Sequence, residues 1–132
     1  MMTFADTSGL YALIDAENVA HELAAGGWAE LRRANDEIVT TNYVVVETVS
    51  LLQSRFSLGP VRDFIESIYP LLTVEWVDGQ THEAAVAAVL VANRRELSLV
   101  DCVSFEVMRR LGIRRAFTLD EHFREQGFEC VP

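Results

Sequence analysis

The sequence predicts an α/β fold in three layers, α/β/α, with a mostly parallel central sheet of about five strands. Two observations carry this. Short strand-like stretches alternate along the whole chain with stretches of helical periodicity, the pattern of βαβ units. The chain has 132 residues, half of them apolar, enough for one domain spanning 1–132 with a sizeable core. No repeat, low-complexity tract or Pro/Ser-rich linker divides it.

The elements follow in order. Met2 to Ala5 is a short apolar strand ending at Asp6. Gly9 to Ala16 reads as a short helix with Leu10, Leu13 and Ile14 on one face. Asp15 to Asn18 is a polar turn. Val19 to Ala34 is helical in pattern, with Gly26-Gly27 expected to break it in two. Ile38 to Thr40 is a strand. Tyr43 to Leu52 carries strand-forming residues, yet Val44, Val45, Thr48, Leu51 and Leu52 form a helical stripe that Thr41 or Asn42 can cap. Helix is preferred, because a strand here would follow Thr40 without a turn.

Gly59-Pro60 opens the next helix, lined by Val61, Phe64, Ile65, Ile68 and Leu72 and kinked or ended by Pro70. Thr73 to Val77 alternates as a strand, Asp78-Gly79 is a turn, and Thr81 to Glu96 is a long Ala-rich helix. Val100 to Leu111 is a helix stopped by Gly112. Arg115 to Leu119 is a strand, Glu121 to Gln126 a short helix, and Phe128 to Val131 the last strand.

Composition narrows the function. No stretch reaches the ~18 to 20 apolar residues of a membrane span. The opening residues lack the basic-then-apolar pattern of a secretory signal, so a cytoplasmic location is expected and no membrane partner. Cys102 and Cys130 lack metal-site spacing and read as small buried hydrophobes. The net charge of −9 argues against a broad basic surface for nucleic acid. Every basic residue is arginine, however, and six of the eleven fall in the pairs Arg94-Arg95, Arg109-Arg110 and Arg114-Arg115. Arginine suits bidentate phosphate contacts, so one of these pairs or Arg124 could steer phosphate.

Most acids sit where solvent would hold them, Asp36-Glu37, Glu66 and Glu129 among them. Four do not. Asp6 ends the first strand, Glu47 interrupts an apolar run, Asp101 lies between Leu99-Val100 and Cys102-Val103, and Asp120 ends Ala116-Phe117-Thr118-Leu119. A carboxylate in apolar surroundings is costly to desolvate without a compensating cation or donors. In a parallel sheet Asp6 and Asp120 stand at carboxyl ends of strands, where ligands collect. Four acids gathered there would repel one another, and a hard divalent cation, Mg²⁺ or Mn²⁺, is the natural compensation for oxygen-only ligands. Each acid also has a plainer reading. Asp6 could cap a helix, Ser98 to Asp101 fits a capping box, Asp120 fits a helix start with Thr118 and Glu121 as a second box, and Glu47 could be exposed on an amphipathic helix.

At these residues the sequence resembles the PIN-domain ribonucleases, and within them the VapC-type toxins. The resemblance spans essentially the whole chain. It rests on Phe4-Ala5-Asp6-Thr7-Ser8, on Ala12 to Asp15 with Asn18 and His21, on Thr40 to Val44 leading to Glu47-Thr48, on Leu97 to Phe105 around Asp101, and on Thr118 to Phe123 around Asp120 with Gly127-Phe128. It implies a metal-dependent endoribonuclease that hydrolyses RNA phosphodiesters with a metal-activated water. Asp6, Asp101 and Asp120 would ligate Mg²⁺ or Mn²⁺, and Glu47 would ligate it or orient the water. Thr7, Ser8, Ser98 and, more weakly, Ser104 are candidates to hydrogen-bond the ligand oxygens. His21 and His122 are expected to be structural. The resemblance further implies tRNA or rRNA as substrate, a small VapB-type antitoxin that blocks the acidic site with a basic side chain, and a homodimer.

Other readings are a PIN nuclease of RNA maturation and a PIN module that binds RNA or a partner without cutting. A receiver domain would need a lysine, and the chain has none; a P-loop switch would need a Gly-Lys-Ser/Thr loop, also missing.

Overall fold

The computed structural model describes all 132 residues, Met1–Pro132. Five strands, β1 (Met2–Ala5), β2 (Glu37–Thr41), β3 (Leu72–Glu75), β4 (Arg115–Phe117) and β5 (Glu129–Val131), form one sheet in the order β3-β2-β1-β4-β5. Every neighbouring pair is parallel. Seven helices connect and flank the strands: α1 (Thr7–Ile14), α2 (His21–Arg33), α3 (Asn42–Arg55), α4 (Leu58–Asp63), α5 (Gly79–Ala92), α6 (Leu99–Leu111) and α7 (Glu121–Glu125).

Successive residues of β1, β2 and β4 are buried, so helices cover both faces of the central sheet, giving the three layers expected. β3, at one edge, alternates between half-buried and exposed. The core is one cluster of 25 buried apolar residues, with Phe4, Phe64, Phe117 and Phe123 its largest fully buried members.

The strand order reverses between β1 and β4. In open parallel sheets the carboxyl ends beside such a reversal form a crevice. Asp6 follows β1 there, and Asp120 lies three residues beyond the end of β4.

Several boundaries differ from expectation for identifiable reasons. The first helix begins at Thr7 because the Asp6 carboxylate caps it, accepting from the Ser8 N–H. Gly26-Gly27 does not break α2. A Cβ at Gly27 would lie 3.2 Å from Val131 Cγ1, so this glycine serves close packing of α2 on the end of β5. The helix after Gly59-Pro60 continues as a π turn, Phe64–Ile68, and a 3₁₀ turn, Tyr69–Leu71, containing Pro70. β3 stops at Glu75, and the Val77 N–H beyond it donates to Asn42 Oδ1. α5 ends at Ala92, not Glu96, with Asn93 left-handed at φ 50°. β4 ends two residues early because the N–H groups of Leu119 and Asp120 turn to side-chain hydroxyls.

Asp36 is not solvated as expected. It is buried just before β2, and its Oδ2 accepts from Arg115 Nη2 at 2.6 Å and from Thr3 Oγ1 at 2.8 Å. Burial pushes its carboxyl up, but these hydrogen bonds and the guanidinium charge hold it below the usual range. This neutral pair closes the amino-terminal edge of the sheet. Gly9 matters at the other end of β1: a Cβ there would lie 2.8 Å from the Phe117 carbonyl oxygen, so glycine allows α1 to press directly on β4.

Candidate active site

Asp6, Glu47, Asp101 and Asp120 come from four separate segments and line one pocket of about 350 Å³. Asp6 caps α1, Glu47 lies in the second turn of α3, Asp101 in the first turn of α6, and Asp120 caps α7. The plainer readings as caps hold for three of the four, with a consequence that spacing alone does not show. Each capping carboxylate uses one oxygen. Asp6 accepts at Oδ2, Asp101 at Oδ2 from Ser98 N–H at 3.1 Å, and Asp120 at Oδ1 from His122 N–H at 2.9 Å. The other oxygen of each, and both oxygens of Glu47, have no protein donor. Capping fixes each carboxylate and leaves an oxygen for the pocket.

The environment is uncompensated. Asp6 is 3 % exposed. Burial raises its pKa to about 6, against hydrogen bonds from Ser8 and Thr118, with the charge of Asp101 adding to the rise. Asp101 is also raised, first by burial and then by the charges of Asp120 and Glu47. The acids therefore sense one another. No three or more His, Cys, Asp or Glu side chains stand close enough together to hold a metal ion as placed. Free carboxylate oxygens as the donor set, excess negative charge and no thiol or imidazole among the lining residues fit a hard divalent ion.

A hydroxyl pair locks Asp6. Ser8 Oγ donates to Asp6 Oδ2 at 2.8 Å and Thr118 Oγ1 donates to the same oxygen at 3.0 Å. Ser8 Oγ in turn accepts from Leu119 N–H, and Thr118 Oγ1 from Asp120 N–H. With an amide N–H on each, both hydroxyls can donate toward Asp6, and they lie 3.1 Å from each other. This network ties the end of β1 to the segment carrying Asp120.

The other candidate supports divide. Ser98 accepts from Asp101 N–H and donates its own N–H back, a full capping box, so its backbone supports the carboxylate. Thr7 lines the pocket, but its buried hydroxyl has no partner. Ser104 is placed elsewhere: its hydroxyl donates to Val100 O at 2.9 Å, back-bonding within α6, and does not reach the acids. Thr118 belongs to the Asp6 lock and is not the cap expected opposite Glu121; Asp120 takes that position.

His21 Nδ1 bonds the Ala12 carbonyl and His122 pairs with Glu125, consistent with structural roles. None of the paired arginines nor Arg124 lines the pocket. Arg94 pairs with Glu96 and Glu125, Arg109 bonds Gln126, Arg110 bonds Thr81, Arg115 holds Asp36 and Arg124 holds Glu121. The pocket's arginine is Arg55, joined by Tyr11, Asn18 and Leu51. Tyr11 and Arg55 were not singled out from the sequence, and Leu51 was read only as part of an apolar helical stripe. The signal was their spacing: Glu47, Leu51 and Arg55 recur every four residues on one face of α3.

The PIN-domain family model matches residues 3–129. The chain belongs to the PIN-domain family. Among characterised PIN proteins it is 34% identical over 128 residues to the 23S rRNA-specific endonuclease VapC20 of Mycobacterium tuberculosis, a match covering 96% of this chain and 95% of the relative. Its structure is similar to the crystal structure of Mycobacterium tuberculosis VapC20, described as a sarcin–ricin-loop-cleaving toxin, with a TM-score of 0.81, 30% identity and full coverage of both chains. FitAcB from Neisseria gonorrhoeae matches at a TM-score of 0.68 and 13% identity over 100% of this chain and 97% of the other, a likeness of fold alone. No helix of this PIN domain is long and apolar enough to cross a membrane.

Proposed function

We propose that this protein is an endoribonuclease of the VapC toxin type, and that Asp6, Glu47, Asp101 and Asp120 hold Mg²⁺ or Mn²⁺ at its catalytic site. The observation that carries the reading is the single pocket lined by carboxylates from four separate segments, each with an oxygen free of protein donors. When bound, the cation supplies an activated water at neutral pH and shields the phosphate from the surrounding acids.

The chain's own groups do the rest. The Ser8 and Thr118 hydroxyls hold Asp6 in one orientation and favour its charged form, so it can serve as a ligand despite its burial. The capping box gives Asp101 the same rigidity. Glu47, free of hydrogen bonds and on a different helix, is suited to orient the attacking water. The relationship to a 23S rRNA-specific enzyme favours ribosomal RNA over tRNA as substrate. The acidic pocket would receive a basic side chain of a small VapB-type antitoxin, and the protein would act in the cytoplasm as a homodimer.

The test is incubation of purified protein with 23S rRNA and with tRNA, in Mn²⁺, Mg²⁺ or EDTA, followed by mapping of the RNA ends. One recurrent metal-dependent cut in rRNA, lost in Asp101→Asn, is expected. Cleavage that survives EDTA and Asp101→Asn would overturn the reading.

A further inference from the structure

The acid pocket contains one cation, and that cation pairs with none of the acids. Arg55, in the last turn of α3, lines the pocket beside all four carboxylates. It makes no salt bridge, whereas Arg94, Arg110, Arg115 and Arg124 all do. Its guanidinium lies over the ring of Tyr11, 5.7 Å from the ring centre. Tyr11 is backed on Phe56, with ring centres 6.4 Å apart and planes 27° from parallel. Its hydroxyl is buried next to Asp15 and the Arg55 guanidinium. Tyr11 thus flanks the guanidinium on one side, and no carboxylate engages its N–H donors.

Charge indicates what that is. Four carboxylates and one arginine give the pocket a deficit that a divalent ion would largely cover. A phosphodiester strand brings further negative charge to the rim, where Arg55 is exposed. A planar fork of donors matches the two non-bridging oxygens of a phosphate. An arginine in the last turn of a helix also interacts favourably with the helix dipole, but a lysine would do that equally well and needs no aromatic seat.

We propose that Arg55 clamps a backbone phosphate of the RNA adjoining the cut, and that Tyr11 is the positioning residue that aims it. The proposal rests on the ribonuclease reading above. A phosphate beside the cut is bound alike before and during reaction, so the clamp acts on binding more than on turnover.

The experiment compares wild type with Arg55→Gln, Arg55→Lys, Tyr11→Phe and Tyr11→Leu on an RNA oligonucleotide containing the mapped cut, from 50 to 200 mM salt. Mn²⁺ affinity without RNA and thermal stability are measured on the same proteins. Arg55→Gln is expected to raise KM roughly 10- to 100-fold, the loss of a charge-assisted phosphate contact, with kcat within a few fold. It should also reduce the slope of log affinity against log salt by about 0.7. Arg55→Lys should keep the salt slope but not the affinity. Tyr11→Leu should raise KM by more than Tyr11→Phe, which keeps the ring. Mn²⁺ affinity of Arg55→Gln should equal or exceed wild type, because a repelling charge has left the pocket. Wild-type KM and salt slope in Arg55→Gln would overturn the clamp while leaving the nuclease intact, as would a KM loss matched by lost Mn²⁺ affinity or melting temperature. If instead wild type cuts no RNA, or Asp101→Asn cuts as fast, the ribonuclease reading fails and the clamp with it.

Discussion

Replacing Asp6 with Asn separates the energetic role of this carboxylate from its chemical one. Burial raises the Asp6 pKa from 3.8 to about 6. A shift of that size corresponds to about 3 kcal/mol of ionisation cost in the folded protein at pH 7. The folded state binds the proton more tightly than the unfolded chain between pH 3.8 and about 6, so metal-free stability falls as pH rises through that window and the cost is complete above it. Asparagine keeps the cap and can accept from Ser8 and Thr118, but carries no charge. In EDTA at pH 7, Asp6→Asn should therefore be more stable than wild type by up to about 3 kcal/mol, or roughly 3 to 5 °C in Tm per kcal/mol for a chain of this size. The gap should be about half as large at pH 5 and close below pH 4. Adding Mn²⁺ at 100 times its Kd should stabilise wild type by about 3 kcal/mol and leave the variant unmoved. Urea unfolding across pH 4 to 7.5, with and without Mn²⁺, measures all of this. A variant no more stable than wild type in EDTA at pH 7, or a gap independent of pH, refutes the argument that this buried charge is uncompensated without metal.

Other substitutions probe the supporting structure. Asp101→Asn should lower RNA cleavage by more than the roughly 100-fold typical of an outer hydrogen-bonding partner and abolish the calorimetric Mn²⁺ signal. Thr118→Val keeps shape but removes one of the two hydroxyl donors to Asp6, and should weaken Mn²⁺ binding roughly 10- to 100-fold with a smaller effect on Tm. Gly9→Ala places a Cβ 2.8 Å from the Phe117 carbonyl and should cost about 1 to 3 kcal/mol in denaturant unfolding. Gly26→Ala, with open space around it, should instead add up to about 1 kcal/mol. Arg115→Met leaves the buried Asp36 carboxylate unpaired and should cost about 3 kcal/mol at neutral pH. That deficit should shrink in acid, because the pair's contribution is present above the unfolded carboxyl pKa and lost as pH falls through the lowered folded one.

What the sequence made legible, and what it hid, follows from how far each residue's role depends on distant neighbours. Asp6 and Asp120 stood out because each ends an apolar strand, and alternation with helices implied a parallel sheet that places such ends together. Glu47 and Asp101 stood out against apolar surroundings in the same way. The capping alternatives were sound locally, yet a carboxylate has two oxygens and can serve two partners. Gly26-Gly27 misled because a glycine pair looks the same whether it breaks a helix or admits a neighbour, and Val131 is a hundred residues away. Asp36 looked like a loop acid until β4 brought Arg115 beside it. Arg55 stayed hidden because the clustered arginines drew attention, whereas its place depends on how α3 packs over α1 and Tyr11.

The buried Asp36–Arg115 pair gives the sheet two unlike ends. At the amino-terminal edge, opposite charges cancel inside the protein; at the carboxyl edge, like charges face one another with a single arginine at the rim. The molecule is polarised along its strands. If the pocket holds a divalent ion as proposed, the ion offsets the repulsion that a polyanion meets at the carboxyl edge, so cation and RNA each favour binding of the other. Apparent affinity for RNA should then rise and fall with free Mg²⁺, and depletion of the ion would disarm the protein at the stage of encounter, before any bond is at stake.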